Sequence, residues 1–324
     1  MSDPLGFVSV TLKAGSDTRF SIPMMRDPVF SGEIKSVDAV GESIELVGVA
    51  WADSQFVFGD VNNPDPNATY FVVVTSGNQN GAQYKVVSNN ATTLSVELGL
   101  NSLTGLSSSD VDGAGDTIKI YPYSTLASVF ADTVVPDQTK IYEYNNSDSS
   151  IRKSSQVIYT FYESVNAWGD GVSQSAVDHT ALLEVGEGYV VRIPEGNADV
   201  QLRLSGAVAM FNDRKVFTND AGSANDITFA LSVPVPVSIG ATNLGIQDQT
   251  KILVYDNESV AIRKSSSKIL TYYADFDAWG DGVSSSPVDD TFFLEPGNSY
   301  VLRKPVKEVA EIVETSFIPD YLTP

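Results

Sequence analysis

The chain has 324 residues, 42% of them hydrophobic, and 41 acidic residues against 20 basic ones give a formal net charge of −21. A surface this acidic repels phosphate backbones and anionic lipid heads, which argues against nucleic acid or a membrane surface as partner and makes divalent cations natural counter-ions. There is no cysteine, so disulfides, thiolate metal sites and a cysteine nucleophile are excluded, and no apolar run nears the roughly 20 residues of a membrane-spanning helix.

In chain order the segments follow strand grammar: short, alternating runs rich in Val, Ile, Thr, Tyr and Phe, closed by Gly, Asn, Asp or Ser. They begin at 6–12 (GFVSVTL) and continue at 43–49, 70–75, 92–98, 117–121, 157–162, 200–204 and 300–303. No amphipathic helix of three turns stands out, and short helical turns are expected at 125–130 and after 307. The expected fold is all-β. Residues 1–123 form an N-terminal barrel-like or sandwich module, 124–235 a first antiparallel β-sandwich repeat with connecting strands, 236–305 a second repeat, and 306–324 a C-terminal tail.

The two repeats are explicit. Residues 137–192 read DQTKIYEYNN…IRKSS…AWGDGV…YVVR, and 248–303 repeat them without a gap, so that Trp168 becomes Trp279 and Arg192 becomes Arg303 (279 − 168 = 303 − 192 = 111). Tiling of one unit favours architecture or multivalent binding over a single catalytic cleft. A weaker echo links Asp17-Thr18-Arg19-Phe20, Asp116-Thr117-Ile118-Lys119 and Asp226-Ile227-Thr228-Phe229.

Within the repeat the AWGDGVS loop is the candidate site. Asp170 leading to Asp178, with Asp281 leading to Asp289, offers carboxylates and glycine-flanked carbonyls to Ca²⁺, which takes about six to eight oxygens. The alternative is that Asp-Gly closes a tight turn, Trp168 and Trp279 plug the sandwich, and the later Asp caps a turn. The IRKSS segments at 151–155 and 262–266 bring cations that could grip a carboxylate or sulfate, or pair with local acids such as Asp148 and Glu258. Aromatic groups at Tyr142, Tyr144, Tyr159, Phe161 and their counterparts suit either sugar stacking or the core. His179 is replaced by Asp290 in the second copy, so the repeated unit holds no Ser-His-Asp arrangement, and we expect no enzyme.

Both ends of the chain are apolar. Phe7, Val8, Val10 and Leu12 at the start, with Val309, Val313 and Phe317 in the tail, are candidate assembly residues that would complete a neighbour's sheet edge.

The opening DPLGFVSVTLKAGSDTRFSIP, the middle YFVVVTSGNQNGAQYKVVSNNATTLSVEL with GDTIKIYP, and the paired blocks ending YVVR and YVLR together resemble a family of uncharacterised exported bacterial all-β proteins with a duplicated C-terminal module. The resemblance covers most of the chain up to Arg303 and implies an all-β fold and export, with a signal peptide removed ahead of the first residue; it carries no catalytic residues. The expectation is therefore a non-enzymatic extracellular or cell-surface structural protein that self-assembles into a filament or surface layer through terminal strand exchange. The alternatives are a secreted glycan- or Ca²⁺-binding module and a viral fibre or decoration protein.

Overall fold

The computed structural model describes residues 4–171, 175–244, 247–282 and 286–323. Almost every element is a β-strand, as the alternation requires, and the helical pieces are single turns such as Ser109–Asp112 and Leu126–Val129.

Strands Phe30–Asp38, Ser43–Leu46, Thr93–Glu97, Gln83–Asn89, Tyr70–Val74 and Thr117–Pro122 pair in that order and close into a barrel. Closure removes every sheet edge, which protects this unit from edge pairing. Period-2 alternation fills the barrel with Ile34, Ile44, Val72, Val86, Leu94, Ile118 and Ile120. Tyr70–Val74 (YFVVV) is buried along its whole length because it has two apolar duties. Tyr70, Val72 and Val74 fill the barrel, while Phe71 and Val73 pack outward with Met25, Tyr121, Tyr123 and Phe211 and so join the barrel to the rest of the molecule.

The two repeats are sandwiches of identical strand order. In the first, the sheet runs Ala167–Gly169, Ser155–Tyr162, Lys140–Tyr144, Gly188–Ile193, Ser16–Ser21. The ribbon of Leu5–Leu12 with Val200–Ala207 and the short pair Ser124–Thr125 with Leu182–Leu183 complete it. The second sheet runs Ala278–Gly280, Lys268–Tyr273, Lys251–Val254, Tyr300–Lys304, Asn225–Phe229. Its ribbon is Asp213–Asn219 with Glu311–Phe317, and its short pair Val237–Ser238 with Phe293–Leu294.

This pairing corrects the unit boundaries drawn from sequence. The first strands do not belong to an N-terminal module: Leu5–Leu12 and Ser16–Ser21 are the ribbon and edge strand of the first sandwich. The barrel is inserted between that edge strand and Ser124–Thr125. Asp213–Asn219 and Asn225–Phe229, assigned above to the first repeat, belong to the second, and the tail supplies its last strand. The reason is geometric. A sandwich takes its ribbon and edge strands from positions distant in the chain, whereas an ungapped repeat exposes only the contiguous middle of each unit.

The terminal residues are placed by the same pairing. Val10 and Leu12 are buried in the first core, with Val8 packed against it. Val313 is buried, and Phe317 lies in the second core. These four buried side chains are committed to their own sandwiches, whereas Phe7 and Val309 are exposed.

Candidate functional site

The repeated AWGDGV loop has a structural job in both copies. Trp168 and Trp279 are each 2% exposed and sit in the two sandwich cores. The Trp168 backbone N–H donates to Asp178 Oδ1 at 3.1 Å, and Trp279 N–H donates to both carboxylate oxygens of Asp289 at 3.2 Å. Gly171 and Gly282 have φ of 74° and 72°, and a Cβ on either would lie 2.7 Å from the carbonyl oxygen of Ile158 or Ile269. Identity across the repeat is thus explained by a left-handed turn and a carboxylate cap. Asp170 and Asp281 also interact within the chain. Among the described residues no three potential metal-ligating side chains cluster. Val172, Ser173, Val283 and Ser284 of this loop lie outside the described residues.

The other repeated motifs hold the two sandwiches together, reciprocally. Asn146, from the first repeat, accepts the Thr228 N–H at 2.8 Å and donates to the Thr228 carbonyl at 2.8 Å, on the edge strand of the second. Asn257, its counterpart, does the same to Arg19 on the edge strand of the first, at 2.9 and 2.8 Å. The IRKSS loops follow suit. Arg152 N–H donates to Asp226 Oδ2 at 2.9 Å and Arg263 N–H to Asp17 Oδ2 at 2.6 Å. Each of these aspartates also takes a bidentate arginine from its own sheet, Arg303 or Arg192. The arrangement is that of an isologous dimer contact, in which each partner offers the same patch, written within one chain.

Where the first sandwich, the barrel and the strand Asp213–Asn219 meet, a cleft of about 690 Å³ opens, lined among others by Glu143, Asn146, Tyr159, Glu184, Glu187 and Lys215. Tyr159 donates its hydroxyl to Glu143 Oε2 at 3.0 Å, and Asn146 Nδ2 donates to Glu187 Oε2 at 2.6 Å. Burial first, and the neighbouring Glu184 carboxylate second, push the Glu187 carboxyl up to about 8. Glu184 is also raised, chiefly by burial, although its side chain keeps solvent access, as a group deep in a wet cleft does. Rim cations are spoken for: Arg214 forks onto Glu314 at 2.7 Å through Nε and Nη2, and Lys215 bonds Asp213 at 2.7 Å and Ser232 at 2.9 Å. The cleft therefore presents the carboxyl oxygens of Glu143 and Glu184 as acceptors and a Glu187 carboxyl that burial keeps protonated at neutral pH as a donor, while the Asn146 amide is taken up by Glu187 and Thr228.

No protein-family model matches this chain, and no curated protein or solved structure matches it either.

Tyr144 and Tyr159 were singled out in the sequence as possible sugar-stacking rings, but the acids beside them were not, and Glu143 and Glu187 are positions where the copies differ. Glu143 and Tyr159 become Val254 and Leu270, and Glu187 becomes Asn298. The paired loss of a carboxylate and the phenol that bonds it is the signal that marks them.

Proposed function

We propose that the protein is a non-enzymatic, exported binding module that takes a polyhydroxylated ligand, a glycan chain, in the cleft between barrel and sandwiches. The observation that carries this reading is the convergence of Glu143, Tyr159, Asn146 and Glu187 on one concave surface walled by separate parts of the fold, the usual setting of a ligand site. Carboxyl oxygens that accept and a carboxyl that donates match vicinal hydroxyl groups, which donate and accept in turn. Tyr144 adds ring surface, whereas the Tyr159 ring is buried in the first core.

The test is binding of the full chain to a panel of neutral oligosaccharides by calorimetry, with Glu143→Gln and Tyr159→Phe as variants. The reading expects binding that each variant weakens by about tenfold, the worth of one hydrogen bond to a charged group. Absence of binding to the whole panel, or release of shortened products from it, overturns the reading.

A second reading, assembly into a filament or surface layer, rests on the exposed apolar side chains at the ends: Leu5, Phe7, Val306, Val309, Ile312 and Ile318. Exposed apolar side chains of this size suit contacts between copies. It would join modules through faces or ribbon edges, since the terminal strands already pair within the chain. Electron microscopy of concentrated protein separates polymer from monomer.

A further inference from the structure

A second cavity, of about 570 Å³, lies at the contact between the two repeats, separate from the acidic cleft, with Tyr144 between them. Its lining holds Arg19, Arg152, Lys153, Lys264 and Arg303 against a single acid among the described residues, Asp226. That acid is fully used: Oδ1 and Oδ2 take Arg303 Nε and Nη2 at 2.6 and 2.8 Å, and Oδ2 also takes the Arg152 N–H. The chain as a whole carries a charge of −21, so a cavity with this balance is an exception that composition does not supply.

Arg303 is paired with Asp226, but the two lysines are held without a carboxylate partner from the lining. Lys153 Nζ donates to the Asn145 carbonyl at 2.9 Å, and Lys264 Nζ to the Asp256 carbonyl at 2.9 Å. A carbonyl satisfies a donor and leaves the charge in place. Burial accordingly lowers both ammonium groups from their ordinary value. Arg19 lies with its guanidinium carbon 3.7 Å from the centre of the Tyr255 ring, and its Nη1 is buried with no hydrogen-bond partner among the described residues. A buried guanidinium N–H without an acceptor is costly unless a ligand supplies one.

Equivalent residues of both copies line the cavity, among them Tyr144 with Tyr255 and Lys153 with Lys264, but the copies differ at two positions beside it. In the first repeat the Tyr142 ring lies beside Arg192, 4.9 Å from guanidinium carbon to ring centre. At the matching position beside Arg303 the second repeat has Leu253, which lines the cavity. Arg19 likewise stands where the other copy has Thr228. One replacement removes a ring and the other adds a guanidinium.

We propose that this cavity binds the anionic group of an acidic saccharide, a sulfate or carboxylate carried on a sugar ring. The cations supply charge-assisted hydrogen bonds. Tyr144, Tyr255, Ser265 and Ser266 supply ring faces and hydroxyls to the rest of the sugar. A bare oxyanion would leave most of the volume empty, whereas sites of about 300–1,000 Å³ commonly hold small organic ligands. The repulsion of the acidic surface does not decide the matter. Exposed charges beyond a Debye length of about 10 Å at 0.1 M salt are largely screened, and the lining cations act at contact. The inference does not rest on ligand binding in the acidic cleft.

The test titrates the full chain with a sulfated disaccharide, a uronate-containing disaccharide, the neutral parent disaccharide and inorganic sulfate. The first two arms tell sulfate from carboxylate. At least one of them is expected to bind, about tenfold or more tighter than the neutral sugar and than inorganic sulfate, and more weakly as salt rises. Leu253→Tyr, which installs the ring found in the other repeat, and Arg19→Thr, which installs the other copy's residue, should each cost about tenfold or more in affinity. Lys264→Gln provides a third variant at a solvent-accessible position should either of these fail to fold. Equal affinity for the neutral sugar, equal affinity for inorganic sulfate, no binding of either acidic sugar, or variants that bind as the parent does would each overturn the proposal.

Discussion

Asp17 and Arg192 are 175 residues apart in the chain, yet the carboxylate takes both Nε, at 2.6 Å, and Nη2, at 2.9 Å, of the guanidinium. The same fork recurs between Asp226 and Arg303 at 2.6 and 2.8 Å. The offset between the aspartates is 209 (226 − 17) while that between the arginines is 111 (303 − 192), and the difference of 98 reflects the block that carries the barrel. Each aspartate thus ties its own sheet to the arm of the other repeat through the Arg263 or Arg152 N–H. Asp17→Ala is expected to cost about 2–4 kcal/mol, because a largely buried guanidinium and a backbone donor lose their acceptor together. Chemical denaturation measures it, and a loss below about 0.5 kcal/mol contradicts the assignment.

Glu187 makes stability depend on pH with a defined sign. Its folded-state value is about 8 against the ordinary 4.5. Between these limits the folded protein holds a proton that the unfolded chain has released. Its contribution is therefore complete below about pH 4.5 and is lost as pH rises through about 8. Glu187→Gln keeps an acceptor for Asn146 and should remove this slope, raising stability at pH 8 relative to the parent. A variant with the parent's slope between pH 5 and 8 would refute the burial argument.

Lys304 acts in the opposite window. It is fully buried, its Nζ has no partner among the described residues, and burial lowers it from 10.5 to about 8. At the equivalent position the first repeat has Ile193, also buried. The folded state loses this proton near pH 8 while the unfolded chain keeps it until about 10.5, so the parent gains stability as pH rises across that range. Lys304→Met keeps length without charge and should stabilise the protein at pH 7 by about 1–3 kcal/mol, with the alkaline rise abolished. Thermal melts at pH 7 and pH 10 check both statements.

The Asp178 and Asp289 caps lead to a prediction about metal. Since their carboxylates already accept from the tryptophan N–H groups, excess chelator should leave the melting temperature unchanged. Asp178→Ala should destabilise by about 0.5–2 kcal/mol, as loss of a backbone cap does. A fall in melting temperature on chelation would restore the loops as a cation site.

The all-β class and the duplication were legible because period-2 alternation and an ungapped repeat are local signals. The ownership of the end strands was not. Leu5–Leu12 reads as an apolar strand, but nothing local to it names Val200–Ala207 as its partner. The echo between Asp17 and Asp226, a short match easily produced by chance, marks equivalent edge strands, while its third member, at Asp116, precedes a barrel strand. Each site combines repeated residues, such as Asn146 and Lys153, with others at which identity fails. Asp178 and Asp289 are repeated because every copy needs its cap, whereas Glu143, Glu187, Arg19 and Leu253 stand where the other copy has Val254, Asn298, Thr228 and Tyr142.

The interlock between repeats underlies both cavities, and hydrogen exchange in Asn257→Ala tests it most directly. Asn257 lies in the second repeat but grips the backbone of Arg19 in the first. Followed by mass spectrometry, the variant should show faster exchange in the strand Ser16–Ser21, more than 200 residues upstream (257 − 21 = 236). Faster exchange confined to the second repeat, with Ser16–Ser21 protected as in the parent, would contradict the reciprocal clasp.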